Sequence, residues 1–178
     1  VNWPIVLLLT AIASIGFLML YSVAGGRMET WSEPQMKRFA VGMAGMFAVA
    51  FVPIWIWRNL SALAYLVSLL LLVAVELFGA IGMGAQRWIE LGPLRLQPSE
   101  LMKIALVMLL AAYYDWLDVK KVSRPVWVAI PVALILLPTV LVLKQPDLGT
   151  AILLLAGGGI VMFAAGVSLW YFGTVIAL

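Results

Sequence analysis

Two short stretches carry the groups best suited to chemistry. "QPSELMK", residues 97–103, sets Glu100 and Lys103 three apart just before the apolar run "IALVMLL", and "QPDLGT", residues 145–150, sets Asp147 before "AILLL". Each begins Gln-Pro, which reads as a helix start, because proline suits the first helical position and the helix dipole favours an acid in the first turn. Gln97 is then a capping candidate, and Pro146 opens the second helix as Pro98 opens the first. For either acid alone, capping worth about 0.5–2 kcal/mol is a sufficient account. It does not account for Lys103, which lies about 7.5 Å inside its helix and would cost a few kcal/mol in lipid unless paired. Glu100, three residues earlier on the same face, is the natural partner.

The elements that position these groups are set by composition. Of 178 residues, 65% are hydrophobic and 11% charged, with a mean hydropathy of +1.13, which is outside the range of soluble domains. The apolar runs lack the alternation of a membrane barrel and approach the roughly 20 residues that cross a bilayer as a helix. The expected fold is all-α, a polytopic transmembrane helix bundle forming a single domain over residues 1–178. Cysteine and histidine are absent. That excludes disulfides, thiolate nucleophiles, the usual zinc sites and imidazole bases, leaving carboxylates, lysines or water for proton transfer. A net charge of +3, spread along the chain, gives no nucleic-acid footprint.

Six spans are expected at about 3–23, 38–57, 60–78, 98–114, 125–143 and 148–165, with a seventh starting at 167. Arg58-Asn59 and Gly166 read as tight connections between antiparallel neighbours. Only Pro138 reads as interrupting a run. Residues 79–97 form an interfacial loop in which "RWIELGPLRL" reads as a turn or hairpin about Gly92-Pro93, anchored by Trp88. "YYDWLDVKKVSRP" reads as an interfacial loop without further function, and "AGGGI" at 156–160 as a site of close helix packing. The first run is a spanning helix and not a signal peptide. Val1 is not an initiator Met and the last run is short, so the chain reads as a piece of a longer protein.

Alternation of spans puts the starts of the second, fourth and sixth helices on one side. That side holds Arg27, Lys37, Arg38, Arg87, Arg95, Lys103 and Lys144 with Glu29, Glu33, Glu76, Glu90, Glu100 and Asp147; the other holds Arg58, Lys120, Lys121 and Arg124 with Asp115 and Asp118. Ionisable groups gathered near apolar segments suit a polar cavity for an anionic headgroup, such as a lipid diphosphate. The positive-inside count, seven against four, would place that side in the cytoplasm.

"GMGAQRWIELGPLRLQPSELMKIALVMLLA" and "LKQPDLGTAILLL" closely resemble the SEDS family of bacterial shape, elongation, division and sporulation proteins, as do "FLMLYSVAGG" and "PQMKRF". "QPDLGTA" is more similar to the elongation branch, RodA, than to the division branch, FtsW. The resemblance implies a ten-helix inner-membrane peptidoglycan glycosyltransferase that polymerises lipid II at the outer face beside a class B penicillin-binding protein. It also implies that the cavity side is extracytoplasmic, against the charge count. The family's favoured catalytic acid lies in an outer loop beyond the seventh helix, so no catalytic residue is expected within these residues, and the piece alone is expected to be inactive.

Under that resemblance Lys103 binds diphosphate or holds the cavity together with Glu100. Asp147 orients substrate, binds a divalent cation bridging the diphosphate, or caps its helix. Arg87 and Trp88 contact phosphate and sugar, with anchoring as the competing role of Trp88. Lys37 and Arg38 reach toward the substrate or snorkel to headgroups; Lys144 adds positive charge. Gln97, Ser99 and Gln145 serve helix starts first and substrate second, while Gly149 and Thr150 are structural. That divalent cation is the one cofactor considered, and the residues do not establish it. A flippase or transporter, and a non-catalytic scaffold for a crosslinking enzyme, are the alternatives.

Overall fold

The computed structural model describes residues 2–78, 80–82, 85–91 and 94–177. Among the described residues are seven α-helices, with a small sheet between the third and fourth: α1 (Trp3–Val23), α2 (Ser32–Phe51), α3 (Ile54–Phe78), β1 (Ala80–Gly82), β2 (Ala85–Leu91), β3 (Leu94–Leu96), α4 (Pro98–Trp116), α5 (Pro125–Lys144), α6 (Leu148–Ala164) and α7 (Leu169–Ala177). By length and composition α1, α3 and α5 are each able to cross a membrane. The chain is a multi-pass membrane protein. Helix α6 is apolar but has 17 residues, and α2 and α4 spend their first turns on polar and charged side chains.

The chain divides into two compact units, Val1–Ile54 and Trp55–Leu178. In the first, α1 and α2 run antiparallel. Phe17 packs edge-on against Phe39 at 5.7 Å, Trp3 lies 6.4 Å from Phe47, and the buried Ser32 hydroxyl donates to the Phe17 carbonyl at 2.9 Å. Helix α2 starts and ends about six residues earlier than the expected 38–57. The break falls at Val52-Pro53 and not at Arg58-Asn59, because proline holds the preceding Val52 in an extended conformation that ends the helix. Residues 58 and 59 lie within α3.

In the second unit the core is built from α3, α4, α5 and α6, with Tyr65, Leu72, Met102, Leu106, Leu110, Val142 and Leu154 deeply buried. At Gly158 α6 packs tightly against α5: a methyl group there would sit 2.5 Å from Ile135 Cγ1. The close packing expected of "AGGGI" is present. Gly166 closes α6 in the left-handed region (φ 89°), with Val167 N–H donating to the Met162 carbonyl at 3.2 Å, as expected for a tight connection.

Helix α5 runs through both Pro131 and Pro138, so a single interruption at 138 is corrected. Each proline lacks the N–H that would bond the carbonyl four residues earlier, which orphans those of Trp127 and Leu134. Both are taken up by tyrosines of neighbouring helices: Tyr113 of α4 donates to the Trp127 carbonyl and Tyr65 of α3 to the Leu134 carbonyl, each at 2.8 Å. These bonds bind α3 and α4 to α5 at fixed heights.

Residues 79–97 hold a three-stranded antiparallel sheet in the order β1-β2-β3. The β2–β3 pairing, Ile89 with Leu96 and Leu91 with Leu94, is the hairpin expected about Gly92-Pro93, whose turn residues lie outside the described ones. Strand β1 is an addition to that expectation. Its pairing steps from Ile81–Gln86 to Ala80–Trp88, so Arg87 is the extra residue of a bulge.

Candidate functional site

Helices α4 and α6 begin at the same level. The end of α4 meets the start of α5 through the Tyr113–Trp127 bond, and α5 turns back into α6 within three residues, so α4 and α6 run parallel. They touch where Gly157 faces the Val107 methyl; Val107 lies nine residues beyond Pro98 and Gly157 nine beyond Leu148. At 1.5 Å per residue both contacts are about 13.5 Å from the helix starts, which makes those starts level. The C-terminal end of α3 joins the same end of the unit: the buried Gln145 amide donates to the Leu72 carbonyl at 3.2 Å, and Lys144 lies 3.9 Å from Glu76. Sheet strand β2 lies against α4.

The two helix starts differ in register, which corrects the expectation that they share one grammar. In α4 Pro98 is the first residue. The Gln97 side chain makes no cap; its backbone carbonyl accepts the Glu100 N–H at 3.1 Å. In α6 the helix begins two residues later relative to its proline, and Asp147 is the cap itself. One carboxylate oxygen accepts the Thr150 N–H at 3.1 Å and the other the Thr150 hydroxyl at 2.9 Å. An ionised carboxylate has about four acceptor positions, so capping leaves capacity for a further donor.

Lys103 Nζ sits 2.9 Å from one oxygen of Glu100 and 2.8 Å from the other, an i,i+3 ion pair. The lysine side chain is 27% exposed and its partner 55%. The ammonium is thus drawn further into the protein than its counter-ion. Lys144, at 3.9 Å from Glu76, is held more loosely and is exposed. Lys103 and Lys144 therefore share one end of the unit with Glu76, Glu100, Asp147 and two helix N-termini, which carry partial positive charge.

The family model described as cell cycle protein, FtsW/RodA/SpoVE, matches residues 2–178. The chain belongs to this family. Among curated relatives, the peptidoglycan glycosyltransferase MrdB of Escherichia coli (strain K12) is 36% identical over 174 residues, covering 97% of this chain and 46% of its own. The probable peptidoglycan glycosyltransferase FtsW of Escherichia coli O6:H1 (strain CFT073) is 34% identical, covering 94% and 42%. Of solved structures, the rod shape determining protein RodA of Thermus thermophilus superposes with a TM-score of 0.83 at 34% identity, covering 94% of this chain and 54% of that one. A component of a peptidoglycan synthase complex that coordinates polymerization and crosslinking gives 0.82 at 34%, covering 93% and 48%. The chain spans about half the length of these relatives.

Of the residues singled out from sequence, Glu100 with Lys103, Asp147, Lys144 and Gln145 are gathered at this FtsW/RodA/SpoVE-family helix-start end, together with Gln97 and the buried Ser99. No hydrogen bond or ion pair joins Asp147 to Lys103 among the described residues. Trp88 stands partly exposed on β2; the Arg87 side chain lies outside the described residues, though its backbone occupies the bulge. Lys37 and Arg38 stand exposed at the start of α2 in the first unit, with Lys37 bonded to Glu33 at 2.6 Å. Their convergence on the other helix starts rests on the alternation of spans alone. Sequence reasoning missed Glu76 as the partner of Lys144; a carboxylate two residues before the end of an apolar helix was the available signal.

Proposed function

We propose that the complete protein polymerises lipid II into glycan strands, as a glycosyltransferase of the elongation branch. The observation that carries the reading is the level pairing of the α4 and α6 starts around the Glu100–Lys103 ion pair, in a chain whose curated relatives are named peptidoglycan glycosyltransferases. Polymerisation forms a bond from a sugar hydroxyl to the anomeric carbon of another lipid-linked sugar and breaks the bond from that carbon to a lipid diphosphate. The leaving diphosphate needs positive charge as it departs, and the attacking hydroxyl needs a proton acceptor.

Lys103 supplies a charge that Glu100 holds in place until the diphosphate competes for it. Lys144, held only loosely by Glu76, and the uncapped start of α4 are further groups that can meet the phosphates. Asp147 orients the sugar or joins a divalent cation through its remaining lone pairs. Among the described residues no group of three or more acids could hold a metal, so such a cation would rest on one or two carboxylates and on the phosphates themselves. Strand β2, which carries Arg87 and Trp88, lies against α4, and Trp88 is the side chain that would meet the sugar. No residue among those described is assigned as the base.

The working partner is a class B penicillin-binding protein, a reading supported by the synthase complex among the structural relatives. The site end faces outward from the inner membrane. Supporting this orientation, Lys120, Lys121 and Arg124 crowd one short loop at the opposite end, whereas Lys103 and Lys144 are held by acids within the site. These 178 residues have no cysteine, so Val119→Cys, in a complete protein with any further cysteine replaced by serine, gives one thiol at an exposed loop position. An impermeant maleimide should label it only after the inner membrane is opened; labelling of intact spheroplasts would reverse the orientation. The function itself is tested with the purified complete protein and lipid II, with and without its partner, scored for glycan strands against lipid scrambling between leaflets. Strands without scrambling support the polymerase; scrambling without strands makes it a flippase.

A further inference from the structure

At the end of the second unit opposite the site, the eight residues Leu117–Arg124 connect α4 to α5. The connection is pinned, not loose. Leu117 and Val122 are buried in the core, the Asp118 carboxylate accepts the Lys120 N–H at 2.9 Å, and a single 3-10 turn covers Val119–Lys121. Ser123 ties it to the next connection: its hydroxyl accepts the Ser168 N–H at 3.0 Å, and its carbonyl accepts the Tyr171 hydroxyl at 3.1 Å.

From this fixed backbone project Lys120, Lys121 and Arg124. None of the ion pairs among the described residues takes them up: Asp115 is held by Arg58 at 2.7 Å, and Asp118 is occupied with its own turn. Lys121 Nζ lies 5.6 Å from the centre of the Trp127 ring, which in turn packs 6.0 Å from Trp116. Trp116 is 66% exposed at the end of a helix that enters the bilayer, and with Trp127 it marks the headgroup level. Three cations at that level, against the single loop carboxylate of Asp118 and on a hydrogen-bonded backbone, complement negative charge lying in the plane of the membrane.

We infer that the Leu117–Arg124 loop binds anionic phospholipid headgroups, with Lys120, Lys121 and Arg124 contacting phosphate and the Trp116–Trp127 pair fixing the depth. A soluble acidic protein is the less favoured occupant, because the loop presents the exposed Val119 beside its cations and is flanked by the exposed Trp116 of α4, groups that find apolar surroundings at a bilayer and not in water. The inference is independent of the catalytic reading, since none of these residues belongs to the site.

The test uses the complete protein in neutral detergent with an equimolar mixture of phosphatidylglycerol and phosphatidylcholine, counting retained lipids by native mass spectrometry. The wild type should retain phosphatidylglycerol in preference. In K120Q/K121Q/R124Q that preference should fall at least about tenfold, since each cation near a charged membrane surface contributes about fivefold. K120R/K121R should keep it, which separates lost charge from a damaged fold. Unchanged preference in the triple glutamine variant overturns the inference. So does a variant that loses capture of polyglutamate while its lipid preference survives, because the loop would then be a protein-docking surface.

Discussion

Removing a single oxygen atom, in Tyr65→Phe, tests whether the tyrosine hydroxyl stands in for the amide that Pro138 lacks. Tyr65 is buried, its hydroxyl lies 2.8 Å from the Leu134 carbonyl, and that carbonyl has no helical donor because residue 138 is proline. An unsatisfied buried acceptor costs about 1–3 kcal/mol, whereas hydrogen bonds between membrane helices average about 0.6 kcal/mol and reach about 1.7. The lower scale applies where an alternative donor is at hand. Here the proline has removed the usual one, so a loss of about 1–2 kcal/mol is expected. Pro138→Ala should restore an N–H aimed at the same carbonyl. Tyr65→Phe made in that background should then cost less than half as much, and the four proteins form a double-mutant cycle. The assay is reversible unfolding in mixed micelles titrated with a denaturing detergent. An equal Tyr65→Phe penalty in both backgrounds would refute the substitution of hydroxyl for amide.

Other perturbations probe the packing and the second acid. Gly158→Ala should destabilise the protein by about 1–3 kcal/mol in the same assay, because its methyl would overlap the branched Ile135 side chain and neither helix is free to move far. Asp147→Asn should keep the α6 cap and near wild-type stability, since asparagine caps as well as aspartate, whereas Asp147→Ala should lose about 0.5–2 kcal/mol. If the asparagine variant of the complete protein polymerises lipid II at the wild-type rate, Asp147 is a cap and nothing more.

Much of this architecture is legible in the sequence because membrane helices announce themselves by length and hydropathy. Trp3–Val23 is legible to the residue, and α4, α5 and α6 to within two. The miss at α2 has a clear cause: Lys37 and Arg38 look like the edge of the bilayer, but the helix extends past them into a polar first turn led by Ser32 and Glu33. The Glu100–Lys103 pair is legible because a lysine deep in an apolar helix must find an acid, and i−3 offers one. The Asp147 cap register is not, because "QPSE" and "QPDL" differ only in the two residues after proline, and Thr150 decides where the second helix can begin. Least legible are the tyrosine bonds. Pro131 and Pro138 advertise two orphaned carbonyls, but which side chain reaches them depends on how α3 and α4 pack against α5, which one helix's sequence does not encode.

The proposed polymerase depends on Lys103 as an exchangeable cation at the head of α4. Its most direct test is the initial rate of lipid II polymerisation by the complete protein carrying Lys103→Met, with membrane insertion and unfolding midpoint measured alongside. A correctly inserted variant that makes glycan strands at a small fraction of the normal rate is the predicted result; strands accumulating as fast as with the lysine in place would contradict it.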